Sequence, residues 1–83
     1  MVPASAMSVS IKQLREFVAV AEARSITRAA HALYVAQPAL SLQVKRLESE
    51  LGVQLFVRLP RGVELTEEGA ELLELARRGR ARR

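Results

Sequence analysis

The side chains in this sequence that can do chemistry are suited to recognition rather than to making and breaking bonds. His31 is the only histidine, and there is no cysteine and no aspartate. That composition removes disulfides, a cysteine nucleophile, most metal-ligand sets and any Ser-His-Asp triad held within one chain. No catalytic residue, no metal and no cofactor is therefore expected. What remains is a polar group between positions 37 and 46: Gln37, Ser41, Lys45 and Arg46. A glutamine can pair with adenine through two parallel hydrogen bonds, and a serine can reach a base edge or a phosphate. Lys45 and Arg46 suit phosphates.

Two short helical patterns position that group. Ile26, Ala29, Ala30 and Leu33 recur at helical spacing, and so do Leu40, Val44, Leu47 and Leu51. Tyr34-Val35-Ala36 joins them, and two such helices about a short connection are the signature of a helix-turn-helix. The small Ala29 and Ala30 allow close approach at the crossing. At about 100° per residue, Pro38, Leu42, Lys45 and Ser49 fall opposite the apolar row. Ser41 and Arg46 lie on the flanks, with Gln37 near the exposed N-terminus. Such a face suits a helix that enters the major groove of DNA. Leu42 on that face is either a contact to a thymine methyl or an ordinary surface leucine.

The joints carry their own signals. Ser25 or Thr27 caps the first of the two helices, and the same end can lie against a phosphate. Arg28 and His31 point away from the apolar face, and His31 reads as a solvated surface residue. Val35 is expected to plug the gap between the helices, and Tyr34 to adopt positive φ. Ala36 lacks a capping hydroxyl, so Gln37 is expected to substitute as the cap, and Pro38 fits a first helical turn.

Upstream, Ser10 and Gln13 form a capping box, with Val9 placed to staple onto Leu14. Ile11, Leu14, Phe17, Val18 and Ala21 then make one apolar stripe of a scaffold helix, and Lys12, Arg15, Glu16 and Glu22 fall off it. Residues 1–8 show no periodicity and read as a disordered leader, with Met7 an alternative start. They lack the pattern of a signal peptide, and no apolar run approaches a membrane span, so a cytoplasmic location is the default. Downstream, Gly52 stops the second helix of the motif. The runs Val53 to Leu59 and Val63 to Leu65, joined by Pro60-Arg61-Gly62, read as a β-hairpin. A hairpin is unstable alone, so it must pack through Phe56 and Leu65. Arg58 and Arg61 near its tip are either DNA contacts or a solvated charged turn. Thr66 caps a last helix, with Glu67 and Glu68 at its positive end. Ala70, Leu72, Leu73, Leu75 and Ala76 exceed one narrow stripe, which suggests a partner helix as well as the domain itself. The arginine-rich end with Gly79 reads as frayed.

Net charge gives little support to nucleic-acid binding. The net charge is +4, yet the first 74 residues hold eight cations against nine carboxylates, and the excess sits in Arg77, Arg78, Arg80, Arg82 and Arg83. Placement of charge must therefore carry the case for nucleic acid. At 83 residues the chain makes one small domain, and with aromatics at 4% its core must be aliphatic.

Taken together, Leu14-x-x-Phe17, Ser25-Ile26-Thr27-x-Ala29-Ala30, Gln37-Pro38-Ala39-Leu40-Ser41, Leu47-Glu48, Leu51-Gly52, Leu55-Phe56-x-Arg58 and Leu65-Thr66-x-x-Gly69 resemble the N-terminal domain of LysR-type transcriptional regulators. The resemblance runs from about Ile11 to Ala76. It implies a mainly α winged helix-turn-helix: three helices, a two-stranded β-hairpin wing and a C-terminal linker helix. The corresponding plan is a leader at 1–8, a DNA-binding domain at 9–66, a linker and dimerisation helix at 67–79 and a basic frayed tail at 80–83. The resemblance places recognition helix 37–51 in the major groove and wing 56–65 on the adjacent minor groove or backbone. Gln37, Pro38, Ser41 and Leu42 would then face bases, and Ser25, Thr27, Lys45 and Arg46 the DNA backbone. Arg58 and Arg61 would stand on the wing, and Leu72, Leu73, Leu75 and Ala76 would pair two copies into a homodimer. A LysR-type regulator would act in the bacterial cytoplasm at the nucleoid. Ile26 and Ala36 stand where Phe and Ser are commoner in the family. Family members continue into an effector-binding domain, so no small-molecule inducer site is expected in these residues. A second reading is a truncated, non-catalytic interaction module that pairs with full-length relatives through residues 67–79 and interferes with them.

Overall fold

The first three helices each end on a residue in the left-handed region. A computed structural model describes residues 9–81, the last two by backbone alone. Helix α1 (Ile11–Ala23) opens on the expected capping box: Gln13 N–H donates to Ser10 Oγ at 3.1 Å, and Ser10 N–H donates to Gln13 Oε1 at 2.8 Å. It closes on Arg24, held in the left-handed region at φ 55°. Helix α2 (Ile26–Leu33) is capped by Ser25, whose Oγ accepts from Arg28 N–H at 3.1 Å. Thr27 lies inside the helix and is exposed.

Helix α3 (Gln37–Leu51) follows after Tyr34-Val35-Ala36. Tyr34 takes φ 58°, as expected of a residue where glycine is usual. Tyr34 N–H donates to His31 O and Val35 N–H to Ala30 O, the paired bonds that end a helix in a Schellman motif. Gly52 at φ 71° repeats the arrangement at the end of α3, with Val53 N–H donating to Glu48 O. The turn at Tyr34 throws Val35 outward, where it is 40% exposed. Val35 is therefore not the plug between the helices; Ala29, Ala30 and Leu40 fill that crossing directly. Nor does Gln37 cap α3: Ala36 is the N-cap and no side chain accepts from the first turn.

Strands β1 (Phe56–Arg58) and β2 (Val63–Leu65) pair antiparallel, with Phe56 opposite Leu65 and Arg58 opposite Val63. Only the second half of the run from Val53 is strand. Just ahead of the strand Glu48 takes Leu55 N–H, and it also takes Phe56 N–H at the start of β1. Helix α4 (Glu67–Ala81) is capped by Thr66, whose Oγ1 accepts from Gly69 N–H at 3.0 Å and donates to the Gln54 carbonyl. It runs through Arg80 and Ala81, two residues past the 67–79 span and into the segment read as frayed. The leader at 1–8 and Arg82 and Arg83 lie outside the described residues.

The core is one aliphatic cluster with two aromatic rings. Phe17 and Phe56 meet at 5.4 Å between centroids, tilted by 43°, which locks the wing to α1. Leu40, Val44, Leu47 and Leu51 are all buried, so the inward face of α3 is the one its spacing predicts. On α1 the stripe is shifted: Val20 is fully buried, while Ile11, at the first helical position, is 68% exposed. Ile11 only lines an open groove between α1 and α4, Leu14 is half-buried, and the fully buried face begins at Phe17.

Candidate nucleic-acid interface

The face of α3 turned from the core carries the recognition group in the open. Gln37, Pro38, Leu42, Lys45 and Arg46 are exposed, Ser41 is half-buried, and Leu42 keeps 49% of its surface in solvent. Since Ala36 offers no capping oxygen, the first-turn N–H groups of α3 also face outward. Ser25 and Thr27 stand at the start of α2, Ser25 half-exposed with its hydroxyl oxygen already engaged as the cap.

The wing lies against this face. Arg58 Nη2 donates to Ser41 Oγ at 3.0 Å, so a strand residue and a recognition-helix residue meet side by side. Arg61 is exposed at the tip, which Leu59 N–H closes on Gly62 O at 3.0 Å. Two anchors that the sequence reading passed over hold the wing in this place. Glu48 Oε2 accepts from Leu55 N–H at 2.7 Å and Phe56 N–H at 3.2 Å. The Arg24 carbonyl, aimed by the left-handed turn after α1, accepts from Val63 N–H at 3.0 Å. Gly62 passes so close beneath that carbonyl that a Cβ there would collide with it, and its φ of 88° is one that side chains resist. A third link joins the scaffold to α3, where Gln13 Nε2 donates to Glu50 Oε1 at 2.7 Å. No local sequence pattern marks the Glu48 anchor, since its partners Leu55 and Phe56 lie beyond the turn at Gly52.

Charge segregation makes up for the neutral body. From Ala23 to Leu47 the chain carries Arg24, Arg28, Lys45 and Arg46 and no carboxylate. The stretch from the end of α1 through the middle of α3 thus presents cations alone, and the carboxylates gather on α1, β2, α4 and the last turn of α3. A local field of this kind concentrates a polyanion even where net charge is small.

The four residues assigned to dimerisation divide. Leu72 and Leu73 are buried at 4% and 8% exposure in the core of this one domain, so they are not free to meet a partner. Leu75 is half-exposed, and with Ala76 and Gly79 it borders a groove of about 550 Å³ whose other wall is Ile11, Leu14 and Val18 of α1. Two ion pairs flank α4, Arg77 to Glu22 at 3.8 Å and Arg78 to Glu74 at 3.4 Å.

Residues 2–70 match the family model described as "Bacterial regulatory helix-turn-helix protein, lysR family". The chain belongs to the LysR family. Among curated relatives, this LysR domain is 63% identical over 59 residues to the HTH-type transcriptional regulator BudR of Raoultella terrigena, which is 71% of this chain and 20% of BudR. It is 52% identical over 71 residues to the RuBisCO operon transcriptional regulator of Allochromatium vinosum, 86% of this chain and 24% of that protein. The chain spans well under half the length of these relatives. Among solved structures, it superposes on a CbnR DBD–DNA complex with a TM-score of 0.80 at 45% identity, covering 88% of this chain and 90% of that one. A BenM DBD/catB site 1 DNA complex gives a TM-score of 0.83 at 43% identity, covering 89% and 82%. The winged helix-turn-helix fold expected from the sequence is the fold found. Among the described residues, no helix is long and apolar enough to cross a membrane.

Proposed function

We propose that this LysR domain binds double-stranded DNA sequence-specifically as the reading part of a bacterial transcriptional regulator. Helix α3 enters the major groove, where Gln37, Pro38, Ser41 and Leu42 face bases. Ser25, Thr27, Lys45 and Arg46 meet the sugar-phosphate backbone, and Arg58 and Arg61 carry the wing to the adjacent minor groove or backbone. The observation that carries this reading is the exposed polar face of α3 from Gln37 to Arg46, free of carboxylates, with the wing anchored beside it. Helix dipole and uncapped N–H groups add to it, since both favour anions at the start of α3.

The functional unit is a homodimer, acting in the bacterial cytoplasm at the nucleoid. Two copies present two recognition helices to half-sites about 34–36 Å apart, one turn of the duplex. Leu75 and Ala76 supply the contact, seated with Ile11 along the groove between α1 and α4.

The test is equilibrium binding of the purified chain to a duplex it selects from a random pool, against a scrambled duplex of equal length. Selective binding by about 10³-fold at moderate salt is expected. Equal affinity for both duplexes would leave α3 as a phosphate-binding surface with no reading role.

A further inference from the structure

Ser41 is the one base-facing candidate whose hydroxyl is already engaged by a cation within the domain. A guanidinium only donates, so in the bond from Arg58 Nη2 at 3.0 Å the serine oxygen is the acceptor. The serine proton is then left for a partner outside. A free serine hydroxyl rotates and can donate or accept, which makes it a poor discriminator. One held by a guanidinium loses that freedom, and the charge-assisted bond polarises its O–H toward donation.

We propose that Arg58 is a positioning residue for sequence discrimination: it sets Ser41 as a hydrogen-bond donor to an acceptor on a base edge. The proposal rests on the reading that α3 lies in the major groove. There the acceptors are guanine O6 and N7, adenine N7 and thymine O4, whereas cytosine presents its N4 amino donor. Ser41 therefore favours a base edge that presents an acceptor and opposes cytosine at that position. The fold of the wing does not need the Arg58 side chain, and a guanidinium with five donors can hold Ser41 through one of them while others meet the duplex. The strand is fixed by the Arg58–Val63 pairing through backbone, by Glu48 at its start, and by the Arg24 carbonyl at Val63. The side chain of Arg58 is itself exposed, so it adds nothing to the core.

A double-mutant cycle on discrimination tests this. Wild type, Ser41→Ala, Arg58→Met and the double variant are titrated with the pool-selected duplex and with its scrambled counterpart, and the ratio of the two Kd values is the readout. Thermal melts of each variant confirm the fold. Each single substitution should lower the ratio about tenfold, and the double should lower it no further than the larger single loss. Losses that multiply in the double variant would mean that the two residues act independently, which overturns the proposal. An unchanged ratio in Arg58→Met, with both duplexes weakened alike, would make Arg58 a plain phosphate contact and also overturn it. A wild-type ratio of one is a different failure, because it removes the DNA-reading function and this inference together.

Discussion

The carboxylate of Glu48 on α3 accepts the backbone N–H of Leu55 at 2.7 Å, seven residues ahead of it in the chain. The same oxygen takes Phe56 N–H at 3.2 Å, so a side chain of the recognition helix fixes where the wing begins. Leu55 and Phe56 are both buried, and neither N–H has water as a ready substitute. Glu48→Ala should therefore cost about 2–3 kcal/mol, the range for losing bonds to a charged acceptor. In a domain of this size that lowers Tm by roughly 8–20 °C, readable by circular dichroism. Glu48→Gln retains an acceptor and should recover a good part of the loss.

Gly69 and Gly79 lie in the same helix, and the same substitution should act on them with opposite signs. A Cβ on Gly69 would meet the Leu55 carbonyl oxygen and come within 2.9 Å of Leu65 Cδ2, whereas one on Gly79 would meet nothing. Gly69→Ala should destabilise by about 1–3 kcal/mol through overpacking. Gly79→Ala should stabilise by up to about 1 kcal/mol, the helix preference of alanine over glycine. Urea titrations of the two variants check the pair.

Gln37 and Lys45 should separate into reading and holding. Gln37→Ala should reduce discrimination between selected and scrambled duplexes by about 1–3 kcal/mol if the side chain grips a base edge bidentately. Lys45→Ala should weaken both duplexes alike and flatten the slope of log K against log salt by about 0.9. Binding isotherms across a salt series resolve the two behaviours. Sequence-selective loss in Lys45→Ala would make it a base contact instead.

Leu75 and Leu72 should also part. Sedimentation should find wild type dimeric, and Leu75→Glu monomeric yet still folded, because Leu75 is half-exposed in the single domain, with Tm lowered only by the loss of association. Leu72→Glu should fail to fold, since it places a carboxylate in the core. A Leu75→Glu chain that stays dimeric would move the interface away from this groove.

What was legible in the sequence was what is decided within a few residues. The Ser10–Gln13 box, positive φ at Tyr34, the stop at Gly52 and the buried row of α3 each depend on neighbours in the chain, and each is found; of Ser25 and Thr27 the cap is Ser25, while the cap expected of Gln37 is absent. The expectations that fail turn on side-chain direction and packing, which apolarity alone does not give. Val35 is apolar, yet the Schellman bonds around Tyr34 turn it outward. Leu72 and Leu73 looked surplus to one narrow stripe, yet α4 lies against both α1 and β2 and buries a wider face. Ile11 keeps the period of α1, but at the first helical position it borders the open α1–α4 groove and stays largely exposed. Within the candidate site, the exposed residues of α3 could be read from helical period alone. The Arg58–Ser41 bond and the Glu48 anchor could not, because both join residues across a turn whose path the local pattern does not determine.

The most direct test of the central claim is an amide chemical-shift map of the chain titrated with its selected duplex. The account predicts shifts concentrated on Gln37 to Arg46, at Ser25 and Thr27, and at Arg58 and Arg61, with the α1–α4 groove nearly silent at constant dimer fraction. Shifts confined to α1 and α4, with the face of α3 unmoved, would contradict it.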